Sequence, residues 1–268
     1  MTIYAALLCF FIYGFLGWAV EVAYAGIKEK KFVNRGFLKG PICPIYGVSV
    51  TLVALLLERF RSNVFLLFIL SFLLVTLLEG ITGFVLEHLF HNKWWDYSDE
   101  KFNIGGYVCL KFSLIWGVSC VVVVEFVQRF FEFDINHLHK LIGIPLIVIF
   151  TVMLIIDHIT TTTKIAKMNK HLAYMENIAN ELHNISNGIG EGIYKAVDAL
   201  DGDEDIEAKK AELTEKYNKA LGDHSKAAAR LVKAFPTMTS KRYDTALSDT
   251  RENIKNNPKP ARHKKTAK

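Results

Sequence analysis

Five long apolar stretches constrain this chain more than any other feature: Tyr4 to Ile27, Ile42 to Leu57, Val64 to Phe90, Leu110 to Phe131 and Leu141 to Thr163. A helix needs about 20 mostly apolar residues to cross the hydrocarbon core of a bilayer, where a backbone amide cannot be left unpaired. The second stretch is the shortest. Gly40, Pro41 and Pro44 at its start predict a segment that begins broken or partly re-entrant. The expected fold class is all-α: a polytopic membrane bundle of about five transmembrane helices with a cytoplasmic amphipathic hairpin or coiled coil. Three parts follow, a transmembrane domain over 1–163, a cytoplasmic helical domain over 164–235 and a basic, disordered tail over 236–268.

Charge divides the chain at the same place. Lys and Arg number 12 up to Thr163 and 20 beyond it, against 12 and 15 acidic residues, so the second part carries the whole net charge of +5. A single water-soluble globule is excluded by this split. Cys9, Cys43, Cys109 and Cys120 are scattered, with no CxxC pair and no Cys/His cluster, so neither a zinc site nor a disulfide framework is expected, and no metal or cofactor. The first stretch is no signal peptide, because no cation precedes Lys28 and Glu21 lies inside it.

Short loops rich in Lys and Arg are retained in the cytoplasm. The first and third loops hold eight cations (Lys28, Lys30, Lys31, Arg35, Lys39, Lys93, Lys101, Lys111) against four in the second and fourth (Arg59, Arg61, Arg129, Lys140). With a basic tail, this puts the N terminus outside, and five crossings then gather the first loop, the third loop and the tail in the cytoplasm. Trp94, Trp95 and Tyr97 are expected at headgroup depth.

Ionised groups inside the spans need a reason, since each costs about 3 kcal/mol at the centre of an inserted helix. Glu87, Asp157 and Glu125 lie near predicted span ends and can reach headgroups. Glu21 and Glu79 lie deeper, where a structural carboxyl between helices and a functional one are equally good readings. Glu79 and Glu87 are eight residues apart, about 80° of rotation after two turns, so they share a side of their helix. Gly80 and Gly83, like Gly14 and Gly17 before Glu21, would let another helix approach closely.

The loops add polar chemistry. From Asn34 to Gly47 the first holds Arg35, Tyr46, three glycines and two prolines before that last glycine is passed, a run of turns with exposed amides and not a plain helix. Arg35 could hold a phosphate or carboxylate in a bidentate fork; the alternative is a connector whose cations only fix topology. The third loop carries Trp95, Asp96, Asn103 and Lys111, with turns at Asp96 to Ser98 and Gly105-Gly106. The expectation is a composite site of Arg35, Asp96, Asn103 and Lys111 closing over the ends of spans one and three, with Glu21, Asn34, Tyr46, Glu79, Glu87 and Trp95 as the other candidate substrate-binding residues.

The segments Gly14-Phe15-Leu16-Gly17-Trp18 with Glu21, Asn34-Arg35-Gly36-Phe37-Leu38 with Gly40-Pro41-Ile42-Cys43-Pro44-Ile45-Tyr46-Gly47, and Trp94-Trp95-Asp96-Tyr97-Ser98 with Cys109-Leu110-Lys111-Phe112-Ser113 carry a resemblance. They resemble the ABC-transporter type IV, or CmpB-like permease, family of bacterial membrane proteins over about residues 4 to 130. The resemblance implies a multi-pass protein of the bacterial inner membrane and a transporter subunit; it brings no catalytic or binding residues with it.

Beyond Lys164 one apolar stripe runs Ile165, Met168, Leu172, Met175, Ala179, Leu182, Ile185, Ile189, Ile193, Val197 and Leu200, the spacing of a long helix. Gly188, Gly190 and Gly192 predict a kink or break within it. A second helix is expected over Ile206 to Phe235, packed on the first as a hairpin or, between copies of the chain, as a coiled coil that would make a homo-oligomer. Asp201, Asp203, Asp205 and Glu212 match four ligand positions of a calcium loop, but Ile206 stands where the bend requires glycine, so an acidic helix start is preferred. The cations after Thr250 suit anionic lipid; without interleaved aromatics, no nucleic acid is expected.

The leading functional expectation is a membrane transporter or permease-like component with membrane lipids around it. The chain has no GxxxxGK[ST], so ATP-driven transport would need a separate ATPase subunit. The alternatives are a membrane enzyme acting on a lipid or lipid-linked substrate, with Asp96 or Glu87 as base, and a scaffold whose spans only anchor the tail. Missing GxSxG and HExxH motifs weigh against the enzyme.

Overall fold

The structure is a computed structural model and describes residues 1–131, 138–196, 204–223 and 226–256. The chain divides into two compact units, one of Met1–Thr163 with Lys233–Met238, the other of Lys164–Val232 with the segment from Thr239 onward.

The first unit begins with α1 (Ile3–Glu29), whose N terminus is capped by Thr2 Oγ1 and which stops at Lys30 in the left-handed conformation. After it come α2 (Pro44–Leu57), a single 3₁₀ turn (Glu58–Phe60) and α3 (Val64–Phe90), capped by Asn63. A two-residue hairpin of β1 (Asn103–Ile104) and β2 (Val108–Cys109) leads into α4 (Leu110–Phe131), which contains a π turn at Val123–Val127. The next helix, α5 (Lys140–Ala196), starts in the first unit and continues into the second.

Among the described residues, four helices are long and apolar enough to cross a membrane, namely α1, α3, α4 and α5. The second apolar stretch forms a helix of only 14 residues. At 1.5 Å per residue that is about 21 Å, short of a hydrocarbon core of about 30 Å.

Lipid gives helices no hydrophobic reason to associate, so packing depends on close backbone approach. A Cβ on Gly17 would fall inside the Tyr46 ring, one on Gly14 would meet the Ile42 side chain, and one on Gly47 would meet the Phe10 carbonyl oxygen. These glycines let α1 and α2 lie against each other. Gly117 does the same for α4 against Phe68 and Phe72 of α3. Among the described residues, two apolar clusters lie in the unit: Ala5, Leu8, Cys9 and Tyr13 of α1 with Ile147 of α5, and Val53 and Leu57 of α2 with Leu67, Cys120 and Val124.

In the second unit, Ile165, Met168, Leu172 and Met175 of the predicted stripe are buried within the chain, and beyond them it is Ile178, not the expected Ala179, that is buried. Helix α5 runs on through Gly188, Gly190 and Gly192 to Ala196, so these glycines do not end it. The single helix expected over Ile206 to Phe235 is instead two, α6 (Glu204–Gly222) and α7 (Lys226–Ala234), because Gly222 closes the first with Asp223 N–H on the Ala220 carbonyl. The expectation of disorder from residue 236 is also corrected. Ala246, Leu247, Thr250 and Ile254 are spaced as one helical stripe and are buried in α8 (Asp244–Asn256). Its N terminus is held by Glu176, whose carboxylate accepts from Ala246 N–H at 2.8 Å, and its Asp249 accepts from the Tyr217 hydroxyl at 2.5 Å. The acidic turn from Asp201 to Asp205 falls mostly, and the basic end from residue 257 wholly, outside the described residues.

Candidate functional site

The first connector, residues 30–43, does not stay at the end of α1. It folds back along that helix until Cys43 N–H donates to the Gly14 carbonyl at 2.9 Å. Gly14 lies fifteen residues before the end of α1, about 22 Å along its axis, so α2 begins near the middle of α1. Asn34 organises this re-entrant strand: its Oδ1 accepts from Trp18 Nε1 at 2.9 Å and from Gly36 N–H at 3.0 Å, and its Nδ2 donates to the Lys39 carbonyl at 2.7 Å. Asp157 of α5 fastens the other end, accepting from the backbone N–H groups of Lys39 at 3.2 Å and Gly40 at 2.7 Å. Sequence position near a span end suggested that Asp157 reaches headgroups. Its carboxylate is turned to the connector instead.

Two carboxylates meet this connector and the third. Glu21 accepts from the Tyr46 hydroxyl at 2.7 Å and pairs with Arg35 Nε at 3.4 Å, and the Arg35 guanidinium also lies over the Tyr24 ring, 5.3 Å from its centroid. Glu79 is 7% exposed. Its Oε1 accepts from the Tyr97 hydroxyl at 3.3 Å, and the Trp116 indole of α4 also faces its carboxyl, yet Oε2 is buried without a hydrogen-bond partner. The two groups are joined by the rings of Tyr46 and Trp116, edge to face at 5.6 Å. Burial first, then the charge and hydrogen bond of Glu79, push the Tyr97 hydroxyl well above the ordinary tyrosine range, and Glu21 adds a smaller contribution in the same direction.

The third connector, residues 91–109, packs beneath them. Trp94 is buried among Phe37 of the first connector and Phe90, which brings the two connectors to the same end of the unit. Trp95 Nε1 donates to the Tyr107 carbonyl at 2.8 Å, and its ring lies against Gly83. Trp94, Trp95 and Tyr97 therefore point into the protein and not, as their composition suggested, to a headgroup belt. Asp96 accepts from Ser98 Oγ at 2.6 Å, from Ser98 N–H at 3.0 Å and from Lys93 Nζ at 3.2 Å. Partial burial works against its charge, but the Ser98 and Lys93 bonds outweigh it and hold the Asp96 carboxyl below its usual range. Gly106, at φ +70°, closes the hairpin where any Cβ would run into Asp96, Lys93 and Ser98.

The composite site expected from Arg35, Asp96, Asn103 and Lys111 is not what these contacts build. Arg35 goes to Glu21. Asn103 bonds the Ser98 and Glu100 carbonyls and Gly106 N–H, all within its own connector. Lys111 is exposed and pairs with Glu100 at 2.9 Å. Glu87 interacts with the Tyr107 hydroxyl. The structure thus brings Glu21, Arg35 and Tyr46 together with Glu79, while Asn34, Trp95, Asp96 and Asn103 hold the connectors in place. Tyr97 and Trp116 were missed as members. Tyr97 stood in a motif but was assigned to the membrane surface, and Trp116 carries no signal in an apolar run.

A second Arg–Glu pair lies at the junction of α2 and α3. Arg61 Nη2 donates to the Val124 carbonyl at 2.9 Å and the Glu125 carbonyl at 3.3 Å, and Arg61 Nε lies 3.5 Å from the Glu125 carboxylate. A π turn leaves carbonyls without their usual i→i+4 partner, and here the guanidinium takes them.

The family model described as "Putative ABC-transporter type IV" matches residues 8–162, the whole of this arrangement. The chain belongs to that family. No curated protein and no solved structure matches it. The type IV family is ABC-transporter-related, and with four helices able to span, this member is a membrane protein.

Proposed function

We propose that the membrane unit of this type IV family member is a permease-like component, and that the cluster of Glu21, Arg35, Tyr46, Glu79, Tyr97 and Trp116 is where it meets its substrate. One observation carries the reading: irregular backbone lies beside the middle of a spanning helix, where Cys43 N–H reaches the Gly14 carbonyl. Such backbone is tolerated at membrane depth only when it is buried in protein or lines a polar cavity, and transporters start half-helices there. Helix α2 is such a half-helix, and two intramembrane carboxylates attend its start. An anchoring scaffold has no use for either feature.

In this reading the two connectors face the cytoplasm, because their loops carry most of the cations. The tail is then cytoplasmic too if α2 makes a crossing with its flanking turns. An ATP-driven mechanism takes a separate ATPase, since the chain holds no P-loop.

The test is solvent access. Tyr46→Cys and Tyr97→Cys, each in a chain whose four buried cysteines are serine, are treated in sealed vesicles with a membrane-impermeant maleimide from either side. Labelling from both sides supports a permease. Labelling from the connector side alone replaces it with the enzyme reading, and protection from both sides overturns it in favour of a scaffold.

A further inference from the structure

We propose that Glu79 is a proton-binding site, so that the ion carried or exchanged by this unit is H⁺. The inference rests on the reading of the cluster as the working site and names the species that site takes.

The argument starts from what Glu79 lacks. It is more than nine-tenths buried, and its Oε2 is shielded and without a hydrogen-bond partner. Among the described residues no Lys, Arg or His forms an ion pair with it; the nearest guanidinium identified in the cluster, that of Arg35, is committed to Glu21 at 3.4 Å. The cluster therefore contains two carboxylates and one cation. A buried carboxylate without a counter-charge either acquires one or takes a proton.

The groups that face Glu79 decide which. The third connector contributes the Tyr97 hydroxyl and α4 the Trp116 indole, both neutral donors. Helix α2 contributes Tyr46, whose hydroxyl is turned to Glu21 of α1. Glu21 is a like charge close enough to act on Tyr97, and the thiols of Cys109 of β2 and Cys43, which lie near Tyr97 and Tyr46, supply no positive charge. Nothing here recommends an anion, which would face surplus negative charge. A bound metal ion fares no better, since hard cations gather six or more oxygen ligands and an indole N–H supplies none. A proton needs only the vacant Oε2 lone pair. It arrives from water, forms one O–H bond and discharges the carboxylate, with no other bond made or broken. Tyr97 is already bonded to the opposite oxygen, and Tyr46 and Glu21 continue the polar line toward the partly exposed Arg35.

The experiment titrates the full-length protein in liposomes by infrared difference spectroscopy in D₂O, with the proton as the only ligand added. The protonated-carboxyl C=O stretch of a shielded group is expected in the wild type, absent in Glu79→Gln and retained in Glu87→Gln. An unchanged band in folded Glu79→Gln overturns the proposal. If Glu79→Gln does not fold, Tyr97→Phe serves: loss of its hydrogen bond must displace the band or its midpoint, and an unmoved band overturns the proposal. A band that depends on Glu79 while both cysteine positions stay protected leaves the proton site standing and removes the permease reading. Labelled cysteines with a band indifferent to Glu79 do the reverse.

Discussion

Arg35 and Arg61 each pair with a partly buried glutamate in the membrane unit, and they differ in how completely the arginine is used. Arg61 donates to two backbone carbonyls of the π turn and faces the Glu125 carboxylate, with Arg129 Nη2 at 3.6 Å on the same carboxylate. Its side chain is 18% exposed. Arg35 meets one carboxylate and one ring, is 25% exposed, and stands in a cluster where a second carboxylate has a vacant oxygen. The first arrangement closes a defect in a helix. Both leave a buried carboxylate oxygen without a partner, Glu125 Oε1 in the first and Glu79 Oε2 in the second, so the difference lies in the arginine: Arg61 is spent on backbone carbonyls and Arg35 on a carboxylate and a ring. Charge in a membrane span is thus a poor guide to function until its partners are counted.

That contrast can be broken by two substitutions. Arg61→Ala strands two carbonyls and leaves a largely buried carboxylate with the exposed Arg129 alone, and should destabilise the protein by about 3 kcal/mol. Arg35→Ala removes a pair that is a quarter exposed and should cost about 1 kcal/mol, while altering cysteine labelling at Tyr46. Denaturation followed by tryptophan fluorescence in detergent measures both. Equal losses would mean that the two pairs are structural alike.

Gly47→Val sharpens the comparison by attacking the re-entrant side without touching a charge. A Cβ at Gly47 would lie 2.7 Å from the Phe10 carbonyl oxygen, which is backbone and cannot swing away. Overpacking of this kind costs about 2 kcal/mol. Gly26→Val, where a Cβ would meet nothing within 4 Å, should cost far less; a similar loss at both would show that helix propensity and not close approach is being measured.

How much of this was legible depends on what hydropathy can encode. Helix α3 runs Val64–Phe90, the span read from the sequence, because an unbroken apolar run has one cheap conformation in lipid. The start of α2 was also written, in Gly40, Pro41 and Pro44, but its depth was not: hydropathy counts residues and cannot say that the preceding connector climbs beside α1. The pairing of Arg35 with Glu21 needs that climb. Tyr97 was misplaced for a related reason, since an aromatic residue after a span looks the same whether it faces headgroups or a carboxylate. The π turn left no sequence signal, and α8 was hidden because its buried stripe is short and dressed in polar residues.

Asp157 tests whether the connector is held at its depth by side-chain chemistry. In Asp157→Ala the Lys39 and Gly40 amides lose their acceptor, and their hydrogen exchange should accelerate roughly tenfold, the equivalent of about 1.4 kcal/mol of local opening. Asp157→Asn keeps an acceptor oxygen and should show a smaller change. Unchanged exchange in the alanine variant would mean that the glycine contacts alone fix the connector.

The smallest effect belongs to Asp96, and it separates the scaffold of the site from the site itself. Bonds from Ser98 and Lys93 hold its carboxyl below the usual range despite partial burial, so the folded connector binds that proton less readily than the unfolded chain does. A depressed carboxyl contributes stability that is present above its ordinary value of about 4 and is lost as pH falls through the folded value. Hydrogen exchange at Ser98 N–H, which donates to Asp96, should therefore rise on acidification below about pH 4 once the intrinsic rate is divided out. In Asp96→Asn that pH-dependent part should vanish, leaving a connector weaker by less than about 1 kcal/mol at neutral pH, since the group is partly exposed and the amide oxygen still accepts from Ser98. Asp96 is bonded by Ser98 and Lys93 of its own connector, so the infrared band assigned to Glu79 should be the same in Asp96→Asn. A band that moves with Asp96 would join the hairpin to the cluster as one titrating system, and the distinction between the residues that hold the connectors and those that meet the proton would fall.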